Sequence, residues 1–217
     1  MSGAGVILAI NLSVAGFLAA AFAGIAIYDR VRVSARWFAV GYALGMANFA
    51  LEFAISLSGH AGLLSVAAYA AFLAALVAFN AGLARLYDVP IPWRTMGALA
   101  AAALLVRLGI DGMDRHSVAR MMLYQAPYAV MQMLGAWIVW RARVRRYLEV
   151  ILLTELVLVG LHYLSKPFIA LAAGGMGSGP EAYLDTAYAM YSQALGSVLA
   201  VAIALLLLVI LVHDILN

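Results

Sequence analysis

Apolar residues run through this chain in seven long blocks, each closed by a short polar or glycine-rich break. The blocks cover 6–28, 37–58, 63–87, 95–110, 118–140, 147–173 and 181–212. Most match the ~20 residues an α-helix needs to cross ~30 Å of hydrocarbon, and no stretch alternates with the period of two that marks a half-buried strand. The pattern predicts an all-α, polytopic transmembrane bundle of seven helices, with residues 1–217 as one domain. The seventh block is too long for a single crossing. Its first third, which holds Tyr183, Asp185, Tyr188, Tyr191 and Gln193, is amphipathic, and its purely apolar part starts near Leu195.

Composition agrees: 67% of the residues are hydrophobic and 11% charged, unlike a soluble globule. The chain has no cysteine, which excludes disulfides, thiolate catalysis and cysteine metal sites. Nine arginines, at 30, 32, 36, 85, 94, 141, 143, 145 and 146, flank the breaks after blocks one, three and five. The positive-inside rule then predicts an outer N-terminus and a cytoplasmic C-terminus, and it makes the net charge of +3 a matter of topology and anionic lipid, not of nucleic acid. Gly41 and Gly45 form a small-residue pair on block two that predicts close helix packing and a homodimer.

Ionisable side chains at membrane depth mark candidate sites, because each needs a partner or a water-filled cavity. Block six carries most of them. Glu155, Val159, His162 and Lys166 share one face at 3.6 residues per turn, and Lys166 is the only lysine in the protein. Pro167 predicts a kink beside it. Counting from the helix ends puts Glu52, Arg107, His162 and Lys166 in the outer half, and Gln125, Asp185, Tyr188 and Tyr191 reach the same level from the opposite ends. These eight residues are the candidate ligand-binding set, an outward pocket for a small charged or aromatic molecule. Salt bridges between Arg107 and Asp111, or Lys166 and Asp185, are the competing structural role for the same groups. His162 could ligate haem or a metal, but no second ligand lies at its depth, so no cofactor is expected. A retinal lysine would sit on the last helix, which has none. No GxSxG, HExxH or phosphate-binding glycine loop is present, so no catalytic residue is predicted for this chain.

The order of features resembles the N-terminal integral-membrane sensor modules of bacterial signalling proteins, above all those preceding GGDEF diguanylate cyclase domains. The resemblance is carried by an uncleaved first helix, by Arg30-x-Arg32 followed by Arg36-Trp-Phe-Ala-Val-Gly-Tyr-Ala-Leu-Gly45, and by a last helix ending Leu211-Val-His-Asp214. It implies a multi-pass protein of the bacterial inner membrane, with a periplasmic N-terminus. The module would detect a small ligand or membrane cue in the outer pocket and pass it down helix seven. An output domain making cyclic di-GMP is then expected after residue 217. The alternative is a small secondary transporter or proton-coupled permease.

Overall fold

The computed structural model describes residues 2–57, 61–142 and 146–216. Arg143 and Arg145 of the arginine set, and Gly59 and His60 in the break after block two, lie outside them. Among the described residues there are seven α-helices and no strand: α1 Gly3–Tyr28, α2 Val33–Leu57, α3 Ala61–Leu86, α4 Trp93–Gly109, α5 Val118–Arg141, α6 Tyr147–Ala172 and α7 Ala187–Leu216. Five of them, α1, α2, α3, α6 and α7, are long and apolar enough to cross a membrane, which makes this a multi-pass membrane protein. The other two fall short for physical reasons. α4 has 17 residues, roughly 25 Å of helix. α5 carries Arg120, Tyr124, Gln125, Tyr128 and Gln132, inward-facing groups that lower its hydropathy.

Helix ends are set by local chemistry that a hydropathy pattern passes over. Ser2 caps α1, its hydroxyl accepting from Gly5 N at 3.2 Å, so the helix starts ahead of the apolar block. Asp29 Oδ1 accepts from Val31 N at 3.1 Å, and its other oxygen receives Arg32 Nε at 3.3 Å. This tight turn lets α2 begin at Val33 instead of residue 37. At the last helix, Thr186 Oγ1 accepts from Ala189 N at 3.1 Å and caps α7. Tyr183 and Asp185 therefore belong to a separate single turn of 3-10 helix, Tyr183–Asp185, and not to helix seven as the pattern predicted. α6 stays helical through Pro167.

Six helices close a ring in the order α1, α2, α3, α5, α6, α7 and back to α1, while α4 packs on α3 and α5 from outside. The chain alternates between two ends. At one, Ser2 Oγ donates to Leu184 O and Arg115 Nε donates to Gly177 O, tying the N-terminus and the α4–α5 and α6–α7 loops together. At the other, Arg32 and Arg146 both pair with Asp214 near the end of α7, Arg146 at 3.4 Å. The Trp37 and Trp93 rings meet there at 5.6 Å. The ring is held by amides that donate to the backbone of the next helix: Asn48 Nδ2 to Ala68 O at 3.0 Å, and Asn80 Nδ2 to Met131 O at 2.8 Å. Such bonds replace the hydrophobic driving force that lipid removes. Large apolar side chains such as Phe17, Leu63 and Leu105 point outward, as a lipid-facing surface requires.

Gly41 works inside the chain. A Cβ there would stand 3.3 Å from Ala75 O, so Gly41 seats α2 on α3, while Gly45 faces the lumen with open space around it. Close approach also fixes Gly135, where a Cβ would come within 2.6 Å of Asn80 Oδ1, and Gly160, where it would meet the Met133 Cε. The Asn80 amide is pinned by its bond to Met131, whereas the methionine end can swing away. Gly135→Ala is therefore expected to destabilise by about 1–3 kcal/mol. Gly160→Ala should be neutral, or stabilising by up to ~1 kcal/mol through helix propensity. Reversible unfolding in mixed micelles measures both, and equal costs would refute the distinction.

Candidate functional site

The ring encloses a lumen of about 690 Å³. Every helix of the ring contributes to its wall, and α4 contributes Arg107 alone among the described residues. The wall between α3, α5 and α6 is aromatic. Tyr69 and Tyr128 lie 4.7 Å apart, Tyr69 and Tyr124 4.9 Å, Phe72 and Tyr128 5.0 Å, and Tyr128 and Tyr163 5.8 Å, mostly tilted or edge-on, as ring quadrupoles prefer.

Six of the eight residues selected from the sequence face this lumen: Glu52, Arg107, Gln125, His162, Lys166 and Tyr188. Two do not. Asp185 is the exposed residue of the single turn ahead of α7, and Tyr191, 58% exposed, points out of the bundle although it stands only three residues after Tyr188. The cap at Thr186 is the cause, since it moves Asp185 off the helix and so off the face predicted for it. No ion pair forms between Lys166 and Asp185.

The six differ in how fully they are satisfied. Arg107, 6% exposed, is a structural staple. One guanidinium nitrogen pairs with Asp111, as the i,i+4 spacing predicted, the other donates to Ser65 Oγ at 2.8 Å, and the group lies over the Tyr124 ring. Glu52 accepts from Gln193 Nε2 at 3.3 Å. Lys166 is within electrostatic range of Glu52 but makes no ion pair with it; its direct neighbour is the face of Tyr163, 5.1 Å away. His162 is buried, and neither ring nitrogen closes a hydrogen bond of good geometry, although the backbone of Ser192 lies nearby. Gln125 Oε1 and Gln193 Oε1 are likewise buried without a partner. Burial, reinforced by the nearby Glu52 carboxylate, raises the pKa of Tyr183 well above its usual value and keeps its phenol protonated at the lumen edge.

Buried polar groups of native proteins are nearly always paired, so the unpaired groups of Gln125, His162 and Gln193, with Arg107 Nε beside them, mark a cavity shaped for something else. Among the described residues no three His, Asp or Glu side chains converge to hold a metal. Sequence reasoning passed over Gln193, Ser197 and Asn11 as site residues. The signal was there: Tyr188, Ser192, Gln193, Gly196 and Ser197 recur at i, i+4, i+5, i+8 and i+9, one face of a helix.

No family model, no curated protein and no solved structure matches the chain.

Two acidic residues treated alike in the sequence should behave differently. Asp111→Ala leaves the buried Arg107 without its carboxylate and should destabilise the protein by about 1–3 kcal/mol. Asp185→Asn, at an exposed turn, should stay within about 0.5 kcal/mol. Thermal unfolding of both variants in lipid nanodiscs gives the comparison, and a larger effect at Asp185 would contradict the assignment.

Proposed function

We propose that this chain is the membrane-embedded signal-input domain of a bacterial signalling protein. On this reading it spans the inner membrane seven times, with the N-terminus periplasmic and the arginine-rich end cytoplasmic. The lumen admits a small ligand from the outer end, and α7 carries the response to a cytoplasmic output, a diguanylate cyclase being the one the sequence resemblance suggests. A single observation carries the proposal: one helix does both jobs. α7 lines the lumen from Tyr188 to Ile203, and the same helix ends in the grip of Arg32 and Arg146 on Asp214.

A helix of 30 residues is roughly 45 Å long, so repacking around its outer part displaces its inner end. A ligand shifts such an element only by binding its two arrangements unequally. The unpaired groups of Gln125, His162 and Gln193 supply that inequality, because they gain partners only when the lumen is filled.

Two measurements test this. Single cysteines report topology cleanly in a chain that has none of its own. Ser178 is the better outer reporter than neighbouring Gly177, whose φ of +81° disfavours a side chain. Ser178→Cys should label from the periplasm; labelling only from the cytoplasm would reverse the orientation. For coupling, the chain is fused through α7 to a diguanylate cyclase, and cyclic di-GMP output is measured for Tyr188→Ala, Lys166→Ala and Asp214→Asn variants that insert normally. Each should change basal or signal-dependent output by about two- to tenfold. Three unchanged outputs would leave the lumen a structural feature, with signal input elsewhere.

A further inference from the structure

The lumen changes character with depth. Counting along the helices at 1.5 Å per residue, Glu52, Gln125, His162, Lys166 and Gln193 lie within roughly 15 Å of the end opposite the arginines. Deeper, the lining turns apolar, with Leu18, Leu76, Phe79, Val159, Leu199 and Ile203. The polar groups at that depth are Tyr42, whose hydroxyl already donates to Ala200 O at 3.1 Å, and Gln132.

The lumen is also long. Along α7 its lining runs from Tyr188 to Ile203, roughly 22 Å of helix. The charges have a sign as well. Arg107, Arg115, Arg120 and Lys166 line the lumen against Glu52 and Asp111, four cations to two acids. Arg107 is held by Asp111 and Glu52 by Gln193, whereas Lys166 makes no ion pair: it rests on the Tyr163 ring, within electrostatic range of Glu52.

We infer that the lumen binds an anionic amphiphile, head at the level of Lys166 and chain running down between α2, α3 and α7. The inference rests on the lumen being a ligand site, and it adds the class of ligand. Lys166 and one imidazole nitrogen of His162 donate to the anionic head. Gln125 Oε1 and Gln193 Oε1 accept, so the head also carries a hydrogen-bond donor, as in an N-acyl amino acid or a hydroxylated fatty acid. The apolar floor takes the chain. Arg115, whose Nε is fixed on Gly177 O at 3.1 Å, sits at the mouth and steers anions inward.

Binding to the isolated chain tests this without any output domain. The protein in nanodiscs is dialysed against radiolabelled N-acetyl-, N-butanoyl-, N-octanoyl- and N-dodecanoylglycine, with empty nanodiscs as the background. Saturable one-to-one binding should tighten by about tenfold or more from the butanoyl to the dodecanoyl compound. Dodecyltrimethylammonium, with the same chain and the opposite charge, should not compete. Ala200→Phe, which fills the floor, should abolish the gain with chain length, and Lys166→Met should weaken every member of the series by about tenfold. If Ala200→Phe does not assemble, the series on the wild-type protein decides. Equal affinity for the acetyl and dodecanoyl compounds, or competition by the cation, would overturn the ligand class while leaving the lumen a ligand site. No binding above empty nanodiscs would overturn the class, and output changes in the cyclase fusion would then show whether signal input survives by another route.

Discussion

A polar side chain carried into hydrocarbon must find its partner within the protein, and that constraint organises this bundle. Asn48 and Asn80 reach the carbonyls of neighbouring helices, and the Ser197 hydroxyl lies within hydrogen-bonding distance of Asn11 on α1. Each bond joins consecutive members of the ring. The small residues follow from them, since Gly135 lets the Asn80 amide reach α5 and Gly41 lets α2 settle on α3. Closing a ring this way leaves a space at its centre. The same rule that zips the helices together makes the unpaired groups facing that space stand out.

Much of this arrangement was legible in the sequence. The seven apolar blocks became seven helices, and the ionisable residues of block six pointed toward the interior, as their cost in lipid demands. Arg107 and Asp111 paired at their i,i+4 spacing. What the sequence hid came from two sources. Boundaries depended on single hydrogen bonds at Ser2, Asp29 and Thr186, which leave almost no trace in hydropathy, and the bond at Thr186 was enough to remove Asp185 from the site. Helix order around the ring is set by which small residue meets which amide, a pairing between segments that periodicity within one segment cannot express. Gly41 shows the difficulty. A close-packing glycine is easy to recognise, but whether it faces a sister helix or another copy of the chain depends on the fold.

Lys166 illustrates how satisfaction, and not mere presence, separates structural from functional polarity. Both it and Arg107 are cations on the lumen wall, and both were selected for the same reason. Arg107 has a carboxylate, a hydroxyl and a ring around it, and its removal would damage the bundle. Lys166 has a ring face and, beyond ion-pair distance, the Glu52 carboxylate, an arrangement that holds a cation in place without tying it down. An ammonium kept ready in this way can exchange a weak neighbour for a strong one at little structural cost, as a binding group must.

α4 stands apart from all of this. It leans on α3 and α5 from outside the ring and sends a single arginine through to the interior. Sliding or tilting α4 would therefore withdraw or advance one positive charge in the lumen without changing the order of the six helices around it. One of the charges of the cavity is thus carried by a helix that faces the bilayer from outside the wall, where the thickness and lateral tension of the membrane act on it directly.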